Sequence, residues 1–166
     1  MANIMHNGVN GIGISDNMPD EVKYFQEVDI IETLVIPEDK PNMEKLSSII
    51  ISPKVVATKI INTPVALSYE GQNLSGYKLI VELSLQEKIK YVAAHPNQAI
   101  HAVHYDSIMK SAFVVVPEFY MGQRVCDLIR KGKFSVTPYV EDIYAVMKDC
   151  RNIYKCISIL VDVKFF

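Results

Sequence analysis

The chain of 166 residues has a net charge of -2 and is 49% hydrophobic, which fits one globular domain with its own core. Its 17 basic and 19 acidic residues are interspersed, so no basic stripe for nucleic acid is present. No apolar run reaches the roughly 20 residues needed to span a membrane. The N-terminus lacks the basic and apolar regions of a signal peptide, so we expect synthesis in the cytoplasm without conventional export.

Residues 1–20 are rich in Gly, Asn and small polar residues, which predicts a flexible N-terminal arm. The remainder, residues 21–166, is predicted to be a single β domain. Gly11-Ile12-Gly13 does not fit a dinucleotide-binding loop, which needs a full strand before it and a helix after it. An alternative use of the arm is to lie as an extended segment on the sheet edge of a neighbouring subunit.

Residues 30–36 are apolar on both faces, which predicts a strand packed on two sides or at a sheet centre. Pro37 is expected to end it, because proline cannot donate to the ladder. Residues 39–46 combine an acidic cap candidate with an early proline and predict one helical turn.

The rest of the chain is dominated by short runs with β patterning, separated by Pro, Gly and Asn. Residues 122–131 have near-helical spacing and predict a short helix or packed loop. The last two runs predict a hairpin that turns at residues 149–152. We therefore predict a mainly β fold, an antiparallel β-sandwich with one or two short helical turns. The predicted strands after Pro37 cover residues 49–51, 55–61, 65–69, 78–86, 99–105, 113–116, 134–147 and 153–165.

Two histidines invite a catalytic or metal-binding interpretation. His101 and His104 are three apart, so in a strand they point to opposite faces and do not share a ligand. His104 and Asp106 share a face, but no nucleophile motif accompanies them. The sequence therefore favours a protein that is not an enzyme, with no cofactor, no metal and no catalytic residue. A small hydrolase using His101 or His104 is the least favoured of the functional hypotheses.

The three cysteines, Cys126, Cys150 and Cys156, all lie in the last third of the chain. Their simplest interpretation is three reduced thiols, as expected in a reducing compartment. Because their number is odd, at least one is left without a partner in its own chain, so they are also candidates for intermolecular cross-links.

Nine tyrosines raise the possibility of an aromatic face that stacks on sugars. They are scattered among different predicted strands, and half-buried positions at sheet margins explain most of them. A carbohydrate- or peptidoglycan-binding module therefore remains the alternative function.

Several blocks of the sequence resemble a known family when they are taken together. Pro37-Glu38-Asp39-Lys40-Pro41, followed by Asn42-Met43-Glu44, is similar to the opening of the SPOCS domain of clostridial spore-envelope proteins. Residues 88–92, 98–105 with His101, 113–117 with Pro117, 141–144 and 151–155 are similar to later blocks. The resemblance covers residues 26–165.

The resemblance implies a non-enzymatic β module that assembles the spore coat or exosporium. Members often carry several such domains or a terminal LysM module. This sequence instead ends at Phe166 on a predicted strand, so we expect here a single building block. The expected partners are itself, as a homo-oligomer, lattice or filament, and other spore-envelope proteins. The expected route is synthesis in the mother-cell cytoplasm and deposition on the spore surface. Cross-linking cysteines would suit such a layer.

Overall fold

The computed structural model describes residues 2–69 and 71–166, with only the backbone for residues 107–109. Within these residues the chain forms ten strands and one short helix. The elements are β1 (Ala2–His6), β2 (Val9–Ile14), β3 (Tyr24–Val35), β4 (Met43–Leu67), β5 (Asn73–Ala93), β6 (Ile100–Val115), β7 (Phe119–Tyr120), β8 (Gln123–Arg124), α1 (Val125–Arg130), β9 (Phe134–Met147) and β10 (Asn152–Phe165).

Two sheets form the body of the molecule. A five-stranded sheet has the order β1-β2-β4-β5-β6, and a three-stranded sheet has the order β3-β10-β9. A separate pair, β7-β8, leads into α1. Every pairing is antiparallel except a short parallel contact between β2 and β4. The predicted mainly β sandwich is confirmed.

The core lies between the inner faces of the two sheets. On β5, alternate residues from Leu79 to Ala93 are buried, as are alternate residues from Ile153 to Phe165 on β10. This period of two is what a strand with one core-facing side requires. No helix of the described residues is long and apolar enough to cross a membrane.

Two of the local predictions for the second half of the chain are confirmed. The closing hairpin consists of β9 and β10, and α1 lies within the predicted residues 122–131. The helical turn predicted over residues 39–46 is wrong. Only a tight turn follows Pro37, and β4 begins at Met43, whose side chain is buried in the core. Tertiary burial outweighs local helix signals there.

The runs at residues 49–51, 55–61 and 65–69 were predicted as separate strands, but the first two and most of the third form one 25-residue strand, β4. Pro53 lies in regular register opposite Leu85, and Pro64 lies in a register shift between Asn62 and Val65, so neither proline ends the strand. The parallel partner β2 reaches only Ser48 to Ile50, so in the described chain β4 pairs beyond that point only with β5. Proline is tolerated in such an edge segment because one side of the strand needs no donor.

The strand at residues 30–36 occupies a different place from the one predicted. It belongs to β3, which lies at the edge of the three-stranded sheet and not at its centre. Ile30 and Leu34 face the core, whereas Ile31 is 58% exposed and Val35 is 56% exposed on the outer face. The apolar outer residues therefore mark an open surface.

The flexible arm predicted for residues 1–20 is wrong for most of its length. β1 and β2 form an antiparallel hairpin in which His6 is opposite Val9 at the turn. The hairpin joins the five-stranded sheet through the pairing of β2 with β4. Asn7 and Gly8 both have positive φ angles, 52° and 77°. Asn-Gly with this backbone is the favoured two-residue hairpin turn, so the hairpin has a local cause.

Gly13 allows β2 to approach β4 closely. Its φ is +122°, and a Cβ atom at this position would lie 2.1 Å from the carbonyl oxygen of Ile51. The backbone beside the glycine is therefore part of the packing of the hairpin against β4. The two glycines of Gly11-Ile12-Gly13 serve strand packing, since a Cβ at Gly11 would also touch Ile143, at 3.0 Å.

We expect Gly13→Ala to destabilise the protein by more than about 1 kcal/mol, because alanine collides with the Ile51 carbonyl and disfavours this φ. Gly8→Ala is the matched control: its φ is also positive, but no atom lies within 4 Å of the added Cβ. Thermal unfolding followed by circular dichroism measures both. Equal losses in the two variants would show that the close approach to β4 contributes nothing.

Candidate functional site

The motif loop, Pro37–Pro41, is a tight turn between β3 and β4. The amide of Lys40 donates to the carbonyl of Pro37 at 3.0 Å. The side chains of Glu38 and Asp39 are exposed. The loop therefore offers acidic side chains to solvent while its backbone is held from below.

Arg151 holds the motif loop. Its Nη1 donates to the carbonyl oxygens of Pro37 and Lys40 at 2.8 and 2.9 Å. Its own carbonyl accepts from the amide of Ile36 at 2.8 Å, and the neighbouring Cys150 carbonyl accepts from Met43. A charged donor on two carbonyls makes stronger hydrogen bonds than a neutral one. The β9–β10 turn thus fixes a loop more than a hundred residues earlier in the sequence.

Asp149 and Tyr91 complete this support. Asp149 accepts from the backbone amides of Arg151 and Asn152, both at 2.8 Å, and these bonds lower the pKa of Asp149. The buried Tyr91 donates its hydroxyl to the carbonyl of Pro41 at 2.9 Å. Burial raises the pKa of Tyr91. These contacts hold the backbone of the motif loop and leave the side chains of Glu38 and Asp39 exposed.

The two histidines of β6 point to opposite sides of the five-stranded sheet. His101 is half-buried and stacks on Tyr91, with ring centroids 5.8 Å apart and an interplanar angle of 27°. His104 is exposed and, with Asp106, lines an open groove of about 280 Å³. His101 therefore supports the residue that holds the motif loop, and the two imidazoles do not form one site.

Pro117 follows the end of β6, where the backbone is tied to the start of β5. The hydroxyl of Ser75 donates to the carbonyl of Val116 at 2.5 Å, and the amide of Val116 donates to the carbonyl of Tyr77 at 3.2 Å. The motif residue Pro117 thus lies at a strand end.

The three cysteines differ in their exposure. All are free thiols within the described residues. Cys150 is exposed in the turn beside Arg151, whereas Cys126 in α1 and Cys156 on β10 are half-buried. Burial, with the charges of Asp29 and Asp142, raises the pKa of the Cys156 thiol and makes it less reactive. Cys150 is the thiol best placed for a cross-link between molecules.

One group of rings lies on the outer face of the three-stranded sheet. Tyr144 contacts Tyr154 at 6.4 Å and His6 at 5.8 Å, with interplanar angles of 70° and 53°. His6 also pairs with Asp142 at 3.0 Å. Because the rings are steeply tilted to one another, these three residues do not form a flat platform for a sugar.

A charge network that the sequence analysis missed lies between the two sheets. Lys155 on β10 is fully buried and contacts Glu87 on β5, which is also buried. Lys155 lies 3.2 Å from Glu32 on β3, and Glu32 lies 2.5 Å from Lys110 on β6. Two lysines and two glutamates therefore balance one another across four strands.

The four groups differ in how fully they are compensated. Among the described residues, Oε2 of Glu87 has no hydrogen-bond partner although it is buried. Burial raises the pKa of Glu87 against the opposing effect of Lys155. Burial acts in the same direction on Glu32, but the hydrogen bonds and charges of Lys110 and Lys155 prevail and lower its pKa.

These shifts have opposite consequences for stability. The stabilisation linked to Glu32 is present above its unfolded-state pKa and is lost as the pH falls through the folded value. The stabilisation linked to Glu87 is largest below its unfolded-state pKa and is lost as the pH rises through the folded value. As the pH rises, the stabilisation linked to Glu32 therefore increases while the stabilisation linked to Glu87 decreases.

The sequence contained a signal for this network. Glu87 is two or four positions from Leu83, Leu85 and Ile89, and Lys155 is two positions from Ile153 and from Ile157. Residues at this spacing in a strand share a face, so both charged residues occupy inward positions in apolar strands.

Lys155→Met is expected to destabilise the protein by about 3–5 kcal/mol, because it leaves the carboxylate of Glu87 buried without its cation. The double variant Glu87→Leu/Lys155→Met removes both charges and should recover most of that loss. Urea unfolding of the two variants and the unmodified protein provides the comparison. A double variant as unstable as Lys155→Met alone would contradict an ion-pair role.

For the motif loop, we expect Arg151→Ala to lower the free energy of unfolding by about 1–2 kcal/mol, since it removes the charged donor from two carbonyl oxygens. Arg151→Lys should lose less, since both carbonyls are bound by one nitrogen and an ammonium group also carries several donors. Glu38→Gln, in an exposed side chain of the same loop, is the matched control and should have little effect. Urea denaturation curves measure all three. Full stability of Arg151→Ala would show that the two carbonyl contacts are dispensable.

The described residues contain no group of three or more His, Cys, Asp or Glu side chains arranged to hold a metal ion. Comparisons of the chain with protein-family models, with curated proteins and with solved structures found no match.

Proposed function

We propose that this protein is a non-enzymatic structural protein of the bacterial spore surface, in the coat or exosporium, which acts by self-association and by binding other envelope proteins. The observation that carries the self-association is the set of large apolar side chains exposed on strand surfaces. Val65 is 79% exposed, Leu67 68% and Ile100 72%. Val65 and Leu67 are neighbours on one side of β4, and adjacent exposed apolar side chains are typical of interaction surfaces, whereas Ile100, the first residue of β6, lies at the far end of β5.

The β4–β5 hairpin supports the same function. Val65 and Leu67 lie near its tip, beyond the part of β4 that β2 covers. The edge of β4 from residue 52 onward therefore has backbone groups available to another chain in the described structure. An open strand edge with apolar side chains is a site where strands of two molecules pair.

The chemistry of the core favours a structural role over catalysis. The buried charges of Glu87 and Lys155 are enclosed between the sheets, where a substrate does not reach them. His104 and Asp106 lie on the surface in a groove that Ser52 also lines, and within the described residues no hydrogen bond joins Ser52 to His104. Folding accounts for the contact between Glu87 and Lys155.

The spore surface as the location rests on the resemblance of the motif loop and the later blocks to the SPOCS domain. Under this proposal, the protein is made in the mother-cell cytoplasm and is deposited on the forming spore. Other envelope proteins that carry domains of the same kind are the expected partners.

Self-assembly is tested by light scattering and negative-stain microscopy of the purified protein over a range of concentrations, with and without reductant. We expect particles larger than a monomer, and cross-linked species on non-reducing gels that Cys150→Ser removes. Cys126→Ser is the matched control, since that thiol is half-buried and should leave the cross-link unchanged. A protein that stays monomeric at high concentration in both conditions would overturn the self-association.

A further inference from the structure

The outer face of the five-stranded sheet is basic. Residues on β4 and β5 that alternate with the buried ones point away from the core, and many of them are lysines. On this face, Glu82 and Asp106 are the carboxylates whose register positions place them beside the lysines. The lysines of the basic face are Lys45, Lys54, Lys59, Lys78, Lys88 and Lys90.

The basic face is not smooth. Lys88 and Lys90 line an open groove of about 460 Å³ with Asn10 and Ile12 of the N-terminal hairpin. The groove that contains His104 and Asp106 adjoins it, because Lys88 borders both. Phe113, on the same face and paired with Ile80, is 46% exposed. Positive charge and apolar surface therefore occur together on this side of the sandwich.

The outer face of the three-stranded sheet is acidic. Glu27 and Asp29 on β3 are exposed, and they lie across β10 from Asp142 and Glu141 on β9. Asp29 accepts a hydrogen bond from Ser158 at 2.5 Å, whereas Asp162, farther along β10, is buried and adds nothing to the exposed surface.

Asp142 on this face contacts His6 at 3.0 Å, but Glu27, Asp29 and Glu141 form no ion pair within the described residues. Burial raises the pKa of Glu141, and the nearby charges of Glu27 and Asp29 raise it further. Of the lysines at this sheet, Lys164 lies 3.4 Å from Asp162, and Lys148 lies over the ring of Tyr154. Glu27, Asp29 and Glu141 therefore form a cluster of like charge that a cationic partner would relieve.

The two charged faces lie on opposite sides of the sandwich, because each is the outer face of one of its two layers. We propose that they bind each other: the acidic face of one copy of this chain stacks on the basic face of the next. Opposite potentials and exposed apolar residues on both faces, Phe113 on one and Ile31 on the other, fit a second copy as the occupant.

Such an interface joins two different surfaces and is therefore heterologous. Each copy would present a free acidic face at one end and a free basic face at the other, so the contact can repeat without closing. This inference rests on the proposed self-association and specifies its surfaces and its polarity. A stack or filament of sandwiches is the expected product.

Charge reversal tests the pairing of faces. Lys88→Glu/Lys90→Glu cancels the net positive charge of the basic face, and Glu27→Lys/Asp29→Lys cancels the net negative charge of the acidic face. We expect each variant alone to lose self-association, with an apparent dissociation constant raised about tenfold or more. Mixed in equal amounts, the two variants should associate again, since the basic face of one meets the acidic face of the other. Analytical ultracentrifugation at low ionic strength measures this.

Matched controls reverse the same number of charges away from both faces. Lys131→Glu/Lys133→Glu lies in the exposed turn after α1, and Glu118→Lys/Asp127→Lys lies before β7 and in α1, away from the motif loop. Both controls should associate like the unmodified protein. Thermal unfolding confirms that each variant is folded. For the unmodified protein, raising the salt concentration from about 0.05 M to 1 M should dissociate the assembly, because the screening length falls to about 3 Å.

The outcomes separate this inference from the function on which it rests. An unmodified protein that assembles, with charge-reversed variants that assemble equally well, overturns the pairing of faces and leaves self-association standing. A strictly monomeric unmodified protein overturns both. Heparin serves as a polyanion probe: if Lys88→Glu/Lys90→Glu loses heparin binding while assembly is unchanged, the basic face serves a polyanion and the stacking proposal is wrong.

Discussion

The buried contact between Lys155 and Glu87 is the constraint on which the arrangement of the two sheets depends. It joins the central strand of the three-stranded sheet to β5, and Glu32 and Lys110 extend it to β3 and β6. Burying charges is expensive unless each has a partner, so the lysines and glutamates must meet as they do. A shift of β10 by one residue would turn Lys155 outward and leave Glu87 in the core without its cation.

Around this centre, short backbone contacts join parts of the chain that are distant in sequence. Arg151 in the β9–β10 turn holds the motif loop, and Tyr91 holds the end of that loop. At the opposite margin, the amide of Ser15 donates to the carbonyl of Val140, which brings the end of β2 to β9. Residues of the motif loop that resemble a spore-envelope module are thus also residues that close one end of the sandwich.

The interior and the exterior use charge differently. Inside, two cations and two anions are arranged so that they balance over a few ångströms. Outside, basic and acidic side chains are segregated on the two outer faces. The net charge of -2 is small, but the two faces carry opposite charge. Composition alone does not reveal this segregation, because residues of either sign are interspersed along the chain. Strand alternation and sheet order separate them.

Local patterns in the sequence predict the mainly β class and the closing hairpin, because period-two patterning and turn residues act locally. They narrow residues 122–131 to a short helix or packed loop, of which α1 is the outcome. The sequence also contains signals that the predictions overlooked: Asn7-Gly8 specifies a hairpin in the predicted arm, and the alternation on β5 and β10 places Glu87 and Lys155 inside. The position of β3 at an edge, the contact of Arg151 with the motif loop and the shared face of the lysines were not predictable in this way. These depend on strand order and register between distant segments, which no local pattern specifies.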